Sequence, residues 1–565
     1  MSRTQLAWPG VDARRPVLVG ELPYYRASPD RWRPTLAAMK EAGIDVVSFY
    51  VPWRFHERSV CGPAAERFDF VGRDDPQADV VGFLRTIGET GLAALVKPGP
   101  FIHAEVQLGG LPDRLCDPEV VASHSGRGGA RLMSQGKPLP RVHDPVFRRE
   151  VDGWMAAVNE ALIRPFADPR GPIVGVQLGN EGVIGEACRP VALADLGTAR
   201  PADAAARAVA AADAIVRQWA LLAERIDPGP ARVVNAPLVR IGAGGEPGAL
   251  GSWLARTAAF RAAPVHLGHT EWVGDASCDA DAFVAHALQI TAAGSDVAEA
   301  NWGFTWTTSR FADGRTPLFH GLLALALGAR TLSIYTAAAT RSWNAAIDMD
   351  ADGLRADGLD PALYGPPYCP GAPFEENGGR NPNHSALLAL RRLVDAHGAE
   401  LAASDAAPDL VVAVDAAVAA RAAEAGEAAE ALDRFVAQLG AWLFADGRQV
   451  VLSLDPGGND VEAIWRGDAD TEVIAARLSA LPRPHVRGRA GRVASFVRHG
   501  ASASFAAIFN PFGEADEAEV VLGGAARLLR LPPHAGLIVR ARDDALEILA
   551  TTHPDTAFVP REAFT

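Results

Sequence analysis

The sequence predicts an α/β protein: a (β/α)₈ TIM barrel followed by a small α/β domain and a C-terminal β-sandwich. From residue 16 to about 397, short apolar β-type runs alternate with longer helical stretches, as in repeated βα units around a parallel sheet. Eight such runs can be counted, the number that closes a TIM barrel. After Pro482 the helical periodicity disappears and short β-type runs alternate with turn residues, which is typical of a small antiparallel sandwich.

The barrel prediction depends on the eight strands and on the helices between them. One helix is predicted to begin at Ser28-Pro29-Asp30 and to end at Gly43. Apolar residues at helical spacing before Gly91 and before Gly294 predict two more helices. The predicted strands are Pro16–Gly20, Ile44–Tyr50, Leu92–Lys97, Ile173–Leu178, Arg232–Asn235, Pro264–Leu267, Asp296–Ala300 and Thr331–Tyr335.

Two composition changes divide the rest of the chain. Around Leu401 to Pro408 the residues become small and polar, and an Ala-rich α/β pattern follows. We therefore expect a catalytic barrel over 1–397, a small α/β domain over 398–481 and a β-sandwich over 482–565.

Composition and charge narrow the function classes. The 565 residues are 48% hydrophobic and 22% charged, as in a globular protein, with a net charge of −14 and no long basic run. Such a surface argues against nucleic acid as a partner. The residues around Arg3, Asp12 and Arg15 have no apolar stretch between them, and the most apolar segment, 317–329, is too short to cross a bilayer. We expect a cytoplasmic protein with no membrane partner.

The sequence gives little indication of a metal-binding site or of disulfide bonds. The five cysteines are few and far apart, and none forms a C-x-x-C pair. The nearest approach to a metal cluster is His266, His269 and Cys278, but the two histidines are three residues apart on a predicted strand and face opposite sides. We expect neither a metal nor an organic cofactor.

Polar and aromatic residues follow several predicted strands, where a TIM barrel has its active site. The runs are GELPYYR from Gly20, YVPWRFHE from Tyr50, KPGPFIHAEV from Lys97, GPIVGVQLGNEG from Gly171 and EANWG from Glu299. Carboxylates, aromatic rings and hydrogen-bonding groups would therefore gather at one mouth.

The same runs carry a family resemblance. The stretch from Gly20 to Leu115 resembles glycoside hydrolase family 35, the β-galactosidases, whose pattern reads SGEIHYFR, YVPWNxHE, FDFxG, RPGPYICAEW and GGLPxWL. Here these are GELPYYR, YVPWRFHE, FDFVG, KPGPFIHAEV and GGLPDRL, in the same order and spacing. The family's GPIIxxQxENEYG is similar to GPIVGVQLGNEG. The three-part layout is also similar to family 42 and to archaeal exo-β-glucosaminidases.

Glycosidic cleavage requires two carboxyl groups, and the resemblance implies which they are. Glu181 matches the family's general acid and base, and Asn180 before it would bind the sugar 2-hydroxyl. For the nucleophile, the motif around Glu271 resembles the family's T-E-x-W-x-G. Strand counting favours Glu299, because related barrels place the acid on strand four and the nucleophile on strand seven. We choose Glu299 and assign Glu271 to substrate binding.

Other residues at the mouth would bind the sugar through hydroxyl contacts or stacking. By resemblance, Tyr50 and Glu105 match positions that hold a terminal galactose. The predicted substrate-binding residues are Tyr24, Arg26, Tyr50, Glu57, Glu105, Asn180, Glu271, Trp302 and Tyr335.

Several residues depart from the family pattern at the presumed sugar site. Arg54 replaces Asn, Lys97 replaces Arg, His103 replaces Cys, and Gly179 and Gly182 replace the first Glu and the Tyr of ENEYG. Because hydroxyl recognition depends on individually placed partners, such changes can redirect sugar specificity.

The resemblance implies a retaining exo-β-glycosidase that removes terminal β-galactosides from small oligosaccharides by double displacement. Exo-β-glucosaminidase or another β-glycosidase is the alternative within enzymes, and an inactive carbohydrate-binding barrel is the alternative of another class. A carboxylate such as Glu271 near the sugar 2-position would favour a glucosaminidase. Self-association as a dimer or trimer is also expected.

Overall fold

The computed structural model describes residues 6, 8–123, 132–183, 185, 197–261, 263–294, 296–342 and 344–559. Eight parallel strands, β1 to β8, close into a barrel in their order along the chain. Each overlaps one predicted strand, so the predicted TIM barrel is confirmed. The strands are β1 Val17–Glu21, β2 Val46–Tyr50, β3 Ala93–Gly99, β4 Ile173–Leu178, β5 Ala231–Pro237, β6 His266–Thr270, β7 Asp296–Asn301 and β8 Thr331–Tyr335.

Eight longer helices, α1 to α8, accompany the barrel strands. Asp79, Asp144 and Asp279 cap helix N-termini by accepting backbone N–H groups, and Gly91 and Gly294 end two helices in the left-handed conformation. The helices are α1 Pro29–Glu41, α2 Val80–Thr90, α3 Pro145–Val158, α4 Ala204–Ala223, α5 Ala249–Phe260, α6 Ala280–Ala293, α7 Arg315–Ala326 and α8 Pro382–Ala402. None of the described helices is both long and apolar enough to cross a membrane.

A hydrophobic cluster fills the amino-terminal end of the barrel. Trp8 packs there with side chains of β1 to β5, including Val19, Leu95 and Val174. Its indole N–H donates to Thr331 Oγ1 at 3.0 Å. The opposite, carboxyl ends of the strands are left for polar side chains.

The segment after the barrel is a small α/β unit. Leu410–Val414 is the central strand of a three-stranded parallel sheet, between Val450–Ser453 and Ala463–Trp465. Helix α8 runs to Ala402, past the boundary predicted at 397. Helices Ala416–Arg421, Glu427–Ala445 and Asp468–Ala480 accompany the sheet.

Two antiparallel sheets form the last unit, with an apolar layer that includes Val497, Val520 and Val539. One sheet orders Asp405–Ala406, Ala494–His499, Ser504–Asn510, Ala535–Arg542 and Ala545–Thr551. The other orders Val486–Gly488, Asp516–Leu522, Ala525–Leu531 and Ala557–Val559. The expected addition of β-rich structure after the barrel is confirmed.

Aromatic side chains join the barrel to both later units. The ring of Phe283 on α6 lies 5.6 Å from Phe444 of the α/β unit and 5.6 Å from Phe509 of the sandwich. Phe319 on α7 lies 5.0 Å from Phe509. One hydrophobic core therefore continues through all three parts of the chain.

Candidate active site

Glu299 lies on β7 and is the centre of a buried polar group. Its Oε1 accepts a 2.5 Å hydrogen bond from Tyr50 Oη on β2, and Lys97 Nζ on β3 is 3.4 Å from the same oxygen. Glu299 is only 4% exposed. Side chains from two neighbouring strands thus hold one carboxyl group in a fixed orientation.

Lys97 connects Glu299 to a second buried carboxylate. Its Nζ lies 2.9 Å from Glu21 Oε2 on β1, and Ser48 Oγ donates to the same oxygen at 2.5 Å. Lys97 is fully buried and lies over the ring of Tyr50, 4.6 Å from its centroid. A buried ammonium of this kind is stable only because carboxylates surround it.

Burial raises the pKa of Glu299 to about 7, although Lys97 and the Tyr50 hydroxyl lower it. The charges of Glu181 and Glu21 contribute to the rise. Glu181 is therefore close enough to influence Glu299 electrostatically.

Glu181 follows β4 in a tight turn. Its φ of 53° lies in the left-handed region, and Gly179 and Gly182 also have positive φ. A Cβ on Gly179 would lie 2.1 Å from the carbonyl oxygen of Gly182, so the turn requires glycine where the family pattern has glutamate. This departure has a structural cause.

Three neighbouring elements contact Glu181, and one of them hydrogen-bonds its carboxylate. Thr270 Oγ1 at the end of β6 donates to Oε1 at 2.8 Å, and His103 Nε2 lies 3.8 Å from Oε2. The Glu181 backbone N–H donates to Asn235 Oδ1 on β5 at 3.0 Å. The side chain of Glu181 is 12% exposed, so this carboxylate is more open than Glu299.

Asn180 is fixed beside Glu181. Its Nδ2 donates to the carbonyl of Ile102 at 2.8 Å, and its Oδ1 accepts from Asn235 Nδ2 at 2.6 Å. The amide orientation is thus set by its partners.

A second chain of hydrogen bonds contains three of the predicted sugar-binding residues. Tyr368 Oη donates to Glu105 Oε2 at 2.7 Å and lies 2.7 Å from Tyr335 Oη on β8. The guanidinium of Arg26 lies 3.9 Å from the Tyr368 ring centroid and pairs with Asp348 at 2.5 Å. Burial raises the pKa of Glu105, whereas Tyr368 and Arg26 lower it.

Aromatic rings lie next to Tyr335, a member of this second hydrogen-bonded chain. Trp272, after β6, stacks on Trp306 at 5.6 Å and contacts the edge of Tyr335 at 6.0 Å. Both tryptophans are partly exposed, whereas the predicted binder Trp302 is fully buried in the core. The exposed rings offer a surface on which a sugar could stack.

Two of the predicted binding residues have other partners. The hydroxyl of Tyr24 bonds to His56 Nε2 at 2.6 Å within an aromatic cluster. Glu57 accepts from Arg114 at 2.7 Å and from Trp53 at 3.3 Å. Neither is brought to Glu299 by these contacts, and their roles in sugar binding stay predictions.

Glu271 is 2% exposed and lies among histidines. Its Oε1 is 3.8 Å from His269 Nε2, and its Oε2 is 3.8 Å from His320 Nδ1. Burial acts to raise the pKa of Glu271, but the neighbouring histidines outweigh burial and lower that pKa to about 2. Its backbone N–H donates to the carbonyl of Glu299 at 3.0 Å, so it is next to β7 through the backbone.

Sequence reasoning did not assign roles to Glu21, Asn235, Thr270 and Tyr368. The first three lie on barrel strands. For Glu21 and Asn235 the available signal was a polar residue beside apolar ones, whereas Thr270 lies between His269 and Glu271. Tyr368 lies in a long segment after β8, where no strand end marks it.

The first third of the chain is similar in sequence to known proteins. Residues 11–194 match the family model for glycosyl hydrolases family 35. The chain is 35% identical over 164 residues to an exo-β-D-glucosaminidase of Thermococcus kodakarensis, which is 29% of this chain and 20% of that protein. It is 32% identical over 162 residues to the β-galactosidase of Mus musculus, 29% of this chain and 21% of that protein. The match thus spans about a fifth of these relatives.

A structural comparison extends over the whole fold. The β-galactosidase of Rahnella sp. R3 superposes with a TM-score of 0.60 at 12% identity, covering 99% of this chain and 100% of that one. By fold and by the family match, the chain resembles the β-galactosidase-like glycoside hydrolases, as its motifs predict.

Proposed function

We propose that the protein is a retaining exo-β-glycosidase acting on terminal non-reducing β-galactosides of small oligosaccharides. Glu299 is the nucleophile and Glu181 the general acid and base. The observation that carries the proposal is the pair of carboxylates at β4 and β7, at the active-site end of a TIM barrel, in different surroundings.

In the first step Glu299 attacks the anomeric carbon while Glu181 protonates the departing glycosidic oxygen. Tyr50 and Lys97 both engage Oε1 of Glu299, which leaves Oε2 to form the bond to carbon. Their positive charge and hydrogen bond stabilise the ionised form that attacks.

In the second step Glu181, now a carboxylate, removes a proton from water as the water attacks the glycosyl–Glu299 ester. The ester bond breaks, Glu299 leaves as the carboxylate, and the sugar keeps its β configuration. Thr270 holds Oε1 of Glu181, so Oε2, on the side of His103, is the oxygen that exchanges the proton.

The histidine neighbours of Glu271 favour a substrate with a neutral sugar over one with an amino sugar. A glucosaminidase would need a carboxylate free to meet the ammonium at the 2-position, but Glu271 is buried and already has histidine neighbours. The similarity to an archaeal exo-β-D-glucosaminidase keeps that activity as the second candidate.

The proposal is tested first with p-nitrophenyl β-glycosides of galactose, glucosamine, glucose, fucose and arabinose. We expect the galactoside to be cleaved fastest and NMR to detect the β anomer as first product. An α product would contradict retention, and faster cleavage of the glucosaminide would move the substrate to the second candidate. Silence across the panel would favour the inactive binding barrel.

A slow substrate identifies the nucleophile directly. A 2-deoxy-2-fluoro-β-galactoside with a good leaving group should accumulate as an ester, because fluorine destabilises the positive charge of both transition states. Peptide mass mapping should find the sugar on Glu299. Label on Glu271 would overturn the strand assignment.

Dimer or trimer formation and a cytoplasmic location remain predictions. Light scattering would test the oligomeric state.

A further inference from the structure

A cluster of buried metal-ligating side chains lies behind β6. Glu271 at the end of β6, His286 on α6 and His320 on α7 each offer one ligand atom, and these atoms all lie within 4.8 Å of one another. We propose that these three residues bind a structural transition-metal ion, zinc by their ligand chemistry. The proposal does not depend on the glycosidase activity.

Hydrogen bonding directs a lone pair of His286 into the cluster. Its Nδ1 lies 2.7 Å from the carbonyl oxygen of Ala282, which can only accept, so Nδ1 carries the proton and Nε2 the lone pair. A metal-bound histidine is normally oriented in this way.

Two buried ligand atoms of the cluster lack a hydrogen-bond partner among the described residues. These are Nε2 of His286 and Oε2 of Glu271, each on a residue that is at most 2% exposed. A buried carboxylate oxygen and a buried lone pair that accept no hydrogen bond are both costly, and they repel each other when close. A cation between them removes both costs.

His320 supplies the third ligand and the link to an outer carboxylate. Its Nδ1 lies 3.8 Å from Glu271 Oε2, while Nε2 lies 3.7 Å from Asp275 Oδ1 and accepts the N–H of Ala276 at 3.1 Å. A metal on Nδ1 would require the ring proton to be on Nε2, where Asp275 Oδ1 is the neighbouring acceptor. Arg310 holds Asp275 in place at 2.9 Å.

Two histidines and one carboxylate form a ligand set that zinc accepts. Tetrahedral bonds of about 2.1 Å require ligand atoms about 3.4 Å apart, so the three side chains must close slightly on binding. Because the cluster is buried, the metal enters during folding.

Metal content and refolding test the site. Protein purified from zinc-supplemented medium should contain about one zinc per chain by mass spectrometry. After unfolding in guanidinium with a chelator, refolding with Zn²⁺ should restore a higher Tm than refolding without metal. Refolding with Co²⁺ should give the intense visible absorption of a four-coordinate histidine site.

His286→Gln should lower the zinc content at least tenfold and abolish the cobalt spectrum. His384→Gln is the matched control, because His384 is also buried but lies outside the cluster. Zinc below about a tenth of an ion per chain in wild type, with equal Tm after both refolding protocols, would overturn the proposal. Both of these measurements use wild-type protein, so they decide the question even if the variant does not fold.

Discussion

The two carboxylates of the candidate site occupy contrasting halves of the barrel mouth. On the β1–β2–β3–β7 side, Glu299 is buried with a lysine, a tyrosine and a second glutamate. On the β4–β5–β6 side, Glu181 is more open, and a threonine hydroxyl and a histidine are its side-chain neighbours. A charge-bearing group that forms a bond needs fixed electrostatics, whereas a group that passes protons needs access to water and to the leaving group. The contrast is consistent with the proposal that Glu299 is the nucleophile and Glu181 the general acid and base.

The largest effect should come from Glu299→Gln, which removes the attacking oxygen. We expect kcat to fall on the order of 10⁴-fold or more with every leaving group. Steady-state kinetics on two aryl galactosides measure this. Equal, modest losses of under about tenfold would mean that Glu299 is not the nucleophile.

Glu181→Gln should have a smaller effect that depends on the leaving group. A general acid contributes about 10²–10⁴-fold, and a phenol that leaves without a proton needs it less in the first step. We expect a larger loss of kcat/KM on lactose than on the nitrophenyl galactoside. An identical loss on both substrates would argue against an acid role.

Lys97→Met tests the buried charge on the Glu299 side. Lys97 lowers the pKa of Glu299, so its loss should raise that pKa by about one to three units and move the acid limb of kcat/KM to higher pH. Leaving two buried carboxylates without their cation should also cost about 3–5 kcal/mol of stability.

Lys97→Arg, which restores the family residue and keeps the charge, is the control. An acid limb that stays in place in Lys97→Met would contradict electrostatic control of Glu299 by Lys97.

Tyr50→Phe removes only the short hydrogen bond to Glu299. A hydrogen bond to a charged group contributes about 1.5–3 kcal/mol, so activity should fall about 10- to 100-fold while the fold persists. The acid limb should move in the same direction as in Lys97→Met but less. Tyr24→Phe, which removes a hydroxyl bonded to His56, should retain near wild-type activity if Tyr24 only packs.

A further effect of Glu299 is on how the stability of the protein depends on pH. The pKa of Glu299 is about 7 in the folded protein against 4.5 ordinarily, so between these values the folded state binds the proton more tightly. The contribution of Glu299 is therefore favourable at low pH and is lost as pH rises toward 7, by up to about 3 kcal/mol.

Glu299→Gln cannot ionise, so the Tm of the variant relative to wild type should increase from pH 5 to pH 8. Thermal unfolding at four pH values measures the difference. A Tm difference independent of pH would place the pKa of Glu299 outside this window.

The sequence predicted the barrel because each strand is a short apolar run bounded by turn residues. It also named Tyr50 and Glu299, which lie 249 residues apart and share a hydrogen bond. It did not separate Tyr24 and Glu57 from the group around Glu299, because a motif does not tell which way a side chain points after its strand. Lys97 stood out only as a departure from the family pattern. Its place between Glu21 and Glu299 follows from the pairing of strands distant in sequence.

The cluster around Glu271 could not be predicted from the sequence either. Its histidines come from two different helices, so no short spacing marks them. Only the packing of α6 and α7 against β6 brings their nitrogens to one carboxylate.

The aromatic contacts of Phe283 and Phe319 bear on the order in which the chain is synthesised. During translation, all eight barrel strands leave the ribosome before the residues that cover these two rings, the last of which include Phe509. The nascent barrel therefore carries an uncovered aromatic surface on α6 and α7 until the sandwich strands emerge. The later domains therefore cannot be exchanged for others without covering the rings of Phe283 and Phe319 again.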